Sequence, residues 1–184
     1  MLNQIAAIHG TGVAVATNSY ESIATVTVGA GGSSSISFSS IPNTFKHLQI
    51  RLMLKGSLTD VGIDCFTSFN SDTTSTNYYS HYLLGTGSAT AAGANANRYF
   101  GAMPGTNSTN VFSGVIMDLL DYANTNKYKT GRLLYGYDMN GSGYVAMQSV
   151  LWKNTAAINA VSIASATGGN FQQYSQAALY GIKG

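Results

Sequence analysis

Charged residues are scarce in this 184-residue sequence, which holds nine Lys and Arg and seven Asp and Glu. They make up 9% of the chain, whereas an ordinary soluble domain has roughly 25%. The net charge of +2 is small and scattered, so we expect no nucleic-acid partner. Apolar residues reach 45%, which excludes the composition of a disordered chain. Ser, Thr, Asn and Gly must therefore provide solubility, and such a surface suits packing against other protein.

Cysteine and long apolar runs are also nearly absent. Cys65 is the single cysteine, so an intrachain disulfide and a disulfide-based scaffold are excluded. No window approaches the ~20 apolar residues that cross a bilayer, so we expect no membrane partner. The first residues lack the basic and apolar regions of a signal peptide, which predicts folding in a cytosol-like compartment.

Helical periodicity is missing, and an alternation of two takes its place in residues 47–55. Four aliphatic side chains fall on one face of this segment: Leu48, Ile50, Leu52 and Leu54. His47, Gln49, Arg51 and Lys55 fall on the other. Because successive side chains of a strand point to opposite faces, the segment is predicted to be a strand with its aliphatic face in a core and its polar face in water.

About ten short strands follow from this kind of pattern, at roughly 8–15-residue spacing between Gly, Asn and Pro turns. The predicted fold is an all-β, two-sheet antiparallel sandwich, for which a jelly roll is the first choice and an immunoglobulin-like sandwich the second. Residues 19–184 are predicted to form this domain. Residues 1–18 are rich in small side chains and are predicted to be an N-terminal arm that lies on its own domain or a neighbour.

Three further segments carry specific expectations. Residues 20–28 and 33–39 should form a hairpin around the glycine-rich residues 29–32. Residues 85–97 should be a loop, because glycine and asparagine interrupt their alanines. Residues 111–122, the longest apolar run, should be a central strand buried on both faces.

Candidate catalytic residues are few, and each has a simpler structural explanation. Cys65 would need His47 or His81 as a base, but no motif surrounds it, and a buried structural cysteine is favoured. Two of the seven acids could serve glycoside hydrolysis. None lies in a motif, and Asp118 and Asp121 more simply bind turn amides or the lysines 127 and 129.

A calcium site is a further alternative, from oxygen ligands on Asp60, Asp64, Asn70, Asp72 and Asn77. These residues do not have EF-hand spacing, so turn capping is favoured. The sequence therefore predicts no enzyme activity, no cofactor and no metal.

Tyrosine is the one aromatic in surplus, with 12 residues. Such side chains stack on sugar rings or anchor subunit interfaces, and the low charge favours an interface. The candidate interface or ligand residues are Tyr78, Tyr79, Tyr82, Tyr99, Tyr128 and Tyr144, with Tyr135 and Tyr137 in the same surplus.

Five segments carry a resemblance, namely residues 20–28, 38–42, 46–51, 121–127 and 173–183. Together they resemble a group of small virion proteins of tailed bacteriophages, in the same order and over nearly the whole chain. The resemblance implies a virion structural protein, assembled in the bacterial host cytoplasm, without catalytic residues.

Within that group, we expect a capsid decoration (cement) protein whose partners are the major capsid protein or other virion proteins. Its arm would span capsomer seams, and phage usage favours a homotrimer. The alternative is a receptor-binding tail fibre or tail tip module that binds a host surface glycan. The polar, tyrosine-containing loops 70–79 and 86–99 suit that alternative.

Overall fold

A computed structural model describes residues 19–184, so the predicted arm, residues 1–18, lies outside the described residues. The described part contains twelve strands, one 3₁₀ turn at Ser75–Asn77 and no α-helix. The strands are β1 (Tyr20–Thr27), β2 (Ser35–Phe38), β3 (His47–Leu54), β4 (Ile63–Phe69), β5 (Tyr78–Gly85), β6 (Thr90–Asn95), β7 (Tyr99–Met103), β8 (Ser113–Leu120), β9 (Lys129–Asp138), β10 (Gly143–Trp152), β11 (Val161–Ser165) and β12 (Gln176–Ile182).

These strands form two antiparallel sheets. The larger has eight strands in the order β1-β12-β3-β8-β9-β10-β5-β6, and the smaller has four in the order β2-β11-β4-β7. Every paired neighbour is antiparallel. The predicted two-sheet antiparallel sandwich of jelly-roll type is therefore confirmed.

The core lies between the two sheets, and β3 contributes the side chains that the alternation predicts. Leu48, Ile50 and Leu54 are completely buried and Leu52 is 4% exposed. Each such side chain contributes about 1.5–3 kcal/mol when it leaves water. The opposite face of β3 is less wet than predicted, because Gln49 and the following Lys55 are both buried.

An aromatic cluster closes one part of the core. Phe69, Tyr78, Phe100 and Trp152 lie with ring centroids 5.6–6.4 Å apart. The Trp152 Nε1–H donates to the Asp72 carboxylate at 2.8 Å, and the Tyr78 hydroxyl donates to the Asp72 carbonyl at 2.8 Å. These bonds satisfy the polar ends of two buried rings, as burial requires.

The predicted hairpin of the first two strands is wrong. β1 pairs with β12 in the larger sheet, whereas β2 pairs with β11 in the smaller one. The backbone of Val28 continues the first pairing, since its N–H donates to Ser175 and its carbonyl accepts from Tyr174. The glycine-rich segment 29–32 turns as predicted, but it carries the chain from one sheet to the other.

The prediction of a loop at residues 85–97 is also wrong, because this segment contains β6, which pairs with β5 from Thr90 to Asn95. Its alanines and glycine have weak strand propensity, and the pairing with β5 overrides that preference. Residues 111–122 contain a central strand, β8, but only one of its faces is buried: Val115, Met117 and Leu119 face the core while Ile116 and Leu120 are exposed.

Candidate functional site

The outer face of the eight-stranded sheet carries a row of exposed aliphatic side chains on four adjacent strands. Cross-strand pairing places Ile116 beside Leu134, Leu134 beside Met147, and Met147 beside Leu83. Their exposed fractions are 41%, 51%, 64% and 58% in that order. We call these four residues the outer apolar row. It ends at Arg51 on β3 and at Ala92 on the edge strand β6.

This row is unusual because its members are successive cross-strand neighbours on one face. Exposed aliphatic side chains that occur singly need no explanation, whereas contiguous ones mark binding surfaces. Adjacent strands lie about 4.8 Å apart, so the row runs about 14 Å across the sheet. Val145 on β10 and Met53 on β3 are also more than half exposed on the same face. The outer face of the larger sheet is thus an exposed apolar surface.

A polar row runs beside the apolar one on the same face, two residues away along each strand. It consists of Gln49, Asp118, Arg132 and Ser149, which are successive cross-strand partners. Gln49 Nε2 donates to Asp118 Oδ1 at 2.8 Å, and Arg132 Nε donates to Asp118 Oδ2 at 3.3 Å. Both carboxylate oxygens are therefore engaged, and the two side chains of the ion pair neutralise each other. An open pocket lies between the rows, lined by members of both.

Arg51 extends this network from the third strand of the sheet. Its Nε donates to Gln49 Oε1 at 2.8 Å, and its guanidinium lies 5.2 Å from the ring centre of Tyr180. Gln49 is consequently fixed by two neighbours, and its amide orientation follows from them. The outer face thus presents the outer apolar row beside a polar row whose side chains are already held by hydrogen bonds. The charges of Asp118 and Arg132 in the polar row cancel each other.

The six candidate tyrosines do not form one surface. Tyr78 is fully buried, so its assignment to an interface is wrong: its ring fills the core and burial raises its pKa to about 12. Tyr144 is half-buried, with its ring centre 4.9 Å from that of Tyr137 and 6.1 Å from that of Tyr135. Burial raises the pKa of Tyr135 to about 12 as well. This part of the tyrosine surplus belongs to packing between the sheets.

The other candidates lie apart from one another. Tyr99 stacks on Phe66 of the smaller sheet at 5.0 Å, and the half-buried ring of Tyr82 covers Gly93 of β6. Tyr79 is 37% exposed, and Tyr128 is 51% exposed in the turn after β8. Composition identified the surplus of tyrosines but gave no information about which of them share a face.

Cys65 is buried, as predicted for a structural cysteine. Its side chain is 1% exposed, and burial, followed by the charge of Asp64, raises the pKa of the thiol to about 12. Neither candidate base serves it, since His47 Nδ1 accepts the Asp121 N–H at 3.0 Å and His81 lies on the outer face of β5. The thiolate that nucleophilic catalysis needs is therefore disfavoured.

The carboxylates are occupied by structural contacts. Asp121 pairs with Lys127, as predicted, and with Lys46 at 3.0 Å; these hydrogen bonds lower its pKa to about 2. Asp118 binds Gln49 and Arg132 rather than the predicted turn amides or lysines. Among residues 19–184 no group of three or more His, Cys, Asp and Glu side chains is arranged to hold a metal.

The acids of the proposed calcium cluster do not act as a group. Asp72 caps its own turn, since Oδ1 accepts from the Thr74 N–H at 2.9 Å and Oδ2 from Asn77 Nδ2 at 2.8 Å. Asn70 Oδ1 accepts from the backbone of Asn159 and Ala160 instead. Turn capping, the favoured explanation, accounts for Asp72, whereas Asn70 joins its turn to a distant segment.

Two buried lysines were not anticipated. Lys129 is 1% exposed, and its Nζ donates to the carbonyls of Asn124 at 2.5 Å, Lys127 at 3.0 Å and Thr155 at 2.9 Å. Lys55 is 6% exposed and its Nζ donates to the Ser108 carbonyl. Desolvation lowers the pKa of both ammonium groups. Both join segments that are distant in the sequence, which local patterning does not reveal.

Comparison with models of protein families finds no match, and a search of curated proteins finds none. Solved structures similar to this chain include the galectin LEC-6 of Caenorhabditis elegans, at 9% identity over 84% of this chain and 94% of that chain, with a TM-score of 0.35. Another is the CBM40 of Ruminococcus gnavus IT-sialidase, at 8% identity over 87% and 91%, with a TM-score of 0.28. At these TM-scores the similarity supports no conclusion about function. In the described part of the chain no helix has the length and apolar character to span a bilayer.

Proposed function

We propose that this chain is a non-enzymatic structural protein of a tailed-bacteriophage virion, and that it is a capsid decoration protein. The outer apolar row is the observation that carries the proposal. The major capsid protein is the proposed partner, and the row is the proposed contact surface. The resemblance of five sequence segments to phage virion proteins supports the same role.

The row fits a protein partner for a physical reason. Ile116, Leu134, Met147 and Leu83 are aliphatic, with exposed fractions of 41–64%. Aliphatic side chains gain free energy by leaving water against another apolar surface, at about 25 cal/mol per Å². Interface cores are depleted in charge and enriched in residues such as Met, and a polar rim surrounds them. The polar row, with Gln49, Asp118 and Arg132, provides such a rim along one side of the outer apolar row.

The second candidate is a receptor-binding module for a host surface glycan, and the polar row favours it. Sugar hydroxyls pair with fixed side-chain amides, carboxylates and guanidinium groups, and Gln49, Asp118 and Arg132 are held in place by one another. Sugar rings, however, stack on aromatic faces. The row that borders the polar row is aliphatic, so the decoration role is the better supported of the two.

The test uses phage particles that lack the protein, to which the purified chain is added back. Bound protein is measured by sedimentation with the particles, and particle survival is measured after heating. The test variant is Leu134→Asp, which places a charge in the centre of the row. The control is Val61→Asp, an equally apolar residue that is 46% exposed in the loop before β4, outside the row.

We expect the wild type and the Val61→Asp variant to bind and to restore heat resistance, and the Leu134→Asp variant to do neither. Equal binding by all three proteins would contradict the role of the row. Particles that keep their heat resistance without the protein but lose adsorption to host cells would replace the decoration role with the receptor-binding one.

A further inference from the structure

The edge strands of the two sheets differ in how they are protected from pairing with another chain. An edge strand exposes unpaired N–H and C=O groups, and proteins protect it with bulges, charges, prolines or short length. β1 has a register shift between Ser22 and Ala24, and its Glu21 pairs with Lys183 at 3.0 Å. β2 has only four residues. β7 has a register shift in its pairing with β4, is mostly buried and is followed by Pro104.

β6 has none of these features. Its six residues, Thr90-Ala-Ala-Gly-Ala-Asn95, carry no charge and no proline, and they pair with β5 without a register shift. Four of the six are exposed, and the largest side chains are Thr and Asn. The side chains therefore leave the outer main chain of the strand accessible to another strand.

The hydrogen-bond pattern shows which main-chain groups of β6 point outward. In the turn that joins β5 to β6, Thr86 N–H donates to the Ala89 carbonyl at 2.9 Å. Antiparallel pairs alternate between bonded and non-bonded positions, so the bonded β6 partners are Ala91, Gly93 and Asn95. The backbone groups of the alternate residues Thr90, Ala92 and Ala94 point away from β5. In agreement, the N–H of His81, the partner of Ala94, bonds Ser149 on the far side of β5 at 3.0 Å.

We propose that two copies of this chain pair through β6, antiparallel and about a two-fold axis at Ala92. Thr90, Ala92 and Ala94 of one copy would then exchange main-chain hydrogen bonds with Ala94, Ala92 and Thr90 of the other. This register uses every outward N–H and C=O of the three residues in both copies. A two-fold axis perpendicular to the sheet is the usual closed symmetry of a dimer.

The outer apolar row gives a second, independent reason for this register. Ala92 is the cross-strand neighbour of Leu83, which ends the row at the β6 edge. With the axis at Ala92, the row of one copy continues through Ala92 of both copies to the row of the other, on the same face of one continuous sheet. Tyr82 supports the edge from the opposite face, where its hydroxyl lies 2.6 Å from the position that a Cβ on Gly93 would take. The inference concerns assembly only and does not depend on the proposed virion role.

The test measures the mass of the full chain in solution by analytical ultracentrifugation over a range of concentrations. The first variant is Ala92→Lys, which keeps every main-chain group but places two like charges opposite each other at the axis. The second is Ala92→Pro, which removes the outward N–H without removing a bond to β5. Thr25→Lys, an exposed position on the protected edge β1, is the control.

We expect the wild type and Thr25→Lys to be dimers. For both Ala92 variants we expect the dimer dissociation constant to increase at least tenfold. Far-ultraviolet circular dichroism checks that each variant is folded. Amide hydrogen exchange adds a residue-level measurement: Thr90, Ala92 and Ala94 should be protected in the wild type and lose protection in Ala92→Lys. A monomeric wild type, a trimer, or a dimer that Ala92→Lys leaves intact would overturn the proposal.

Discussion

Replacing Lys129 by methionine should destabilise the protein strongly, because this buried ammonium group joins two loops to the start of β9. Its three donors are bound by carbonyls at 2.5–3.0 Å, two in the turn after β8 and one in the loop after β10. Methionine keeps the length of the side chain and its packing, but it has no donor. The carbonyls of Asn124, Lys127 and Thr155 then lose this partner.

The magnitude follows from two opposing effects. Three hydrogen bonds from a charged donor contribute about 4.5–9 kcal/mol in total. Removing the ammonium also removes the cost of its burial, which is several kcal/mol. We therefore expect a net loss of about 3 kcal/mol in the free energy of unfolding. With a urea dependence of about 3 kcal/mol per M, the unfolding midpoint should fall by about 1 M.

The assay is urea unfolding followed by the fluorescence of Trp152, the single tryptophan of the chain. Lys127→Met is the matched control, because Lys127 is two residues away and its side chain is 54% exposed in an ion pair with Asp121. Such a surface pair contributes about 0–1 kcal/mol. If Lys129→Met and Lys127→Met shift the midpoint equally, the three carbonyls are rehydrated and the reasoning is refuted.

Three further results are expected. The Cys65 thiol, whose burial raises its pKa to about 12, should not react with a disulfide reagent at pH 8 until denaturant unfolds the chain; rapid labelling of native protein would contradict this. Asp121→Asn should lower the thermal midpoint at pH 7. Hydrogen bonds lower the Asp121 pKa to about 2 in the folded state, from an unfolded value of about 3.9. The difference in thermal midpoint between the wild type and Asp121→Asn should therefore vanish as the pH falls from 4 to 2. A difference that persists at pH 2 would argue against the ion pair. Asp72→Asn should lower stability by about 1–3 kcal/mol, because Oδ2 accepts from Trp152 and Asn77 and Oδ1 accepts from the Thr74 N–H, so the new NH₂ group must face a donor on one side. Loss of the carboxylate charge beside Nε1 should also shift Trp152 emission, and an unchanged midpoint and spectrum would show that the bond to Trp152 is unimportant.

Patterns of period two predicted most of the fold, because burial of one strand face is a local property. β3 is the clearest case, with Leu48, Ile50, Leu52 and Leu54 at 0–4% exposure. The hairpin turn after β9 is also encoded locally, by the sequence Asn-Gly-Ser-Gly at residues 140–143: Met139 N–H donates to the Ser142 carbonyl at 2.8 Å, and Gly143 has a φ of +126°. A side chain there would also collide with the Tyr137 carbonyl, 2.3 Å from the Cβ position.

Pairing between distant segments was not readable in the same way. Residues 29–32 signal a reversal of direction, but the choice between a hairpin and a crossing to the other sheet depends on β12 and β11. β6 exists because β5 supplies its hydrogen bonds, whereas its own residues favour a loop. Tyr78 illustrates the same limit, since only the fold decides whether a tyrosine ring enters the core.

The outer apolar row was missed for a related reason. β9 carries Leu133 and Leu134 next to each other; the first is 3% exposed and the second 51%. Two adjacent leucines in a strand predict burial of both faces, which is how residues 111–122 were also interpreted. Residues 19–184 form two layers, so one leucine of each such pair is left exposed by the part of the chain that the structure describes. The adjacent apolar residues therefore do indicate a second apolar face, which residues 19–184 leave exposed.

If both proposals hold, pairing through β6 should strengthen binding to the virion. A two-fold axis perpendicular to the sheet turns both outer apolar rows to the same side, so one dimer offers two contact surfaces to one particle. Linked surfaces bind more tightly than either alone, by 10²–10⁴-fold where geometry permits both contacts. We therefore expect Ala92→Lys, whose own row is intact, to bind particles more weakly than the wild type but with the same maximum occupancy at high concentration. Leu134→Asp should fail at every concentration. Equal affinities of Ala92→Lys and the wild type, measured by sedimentation, would show that the two surfaces do not act together.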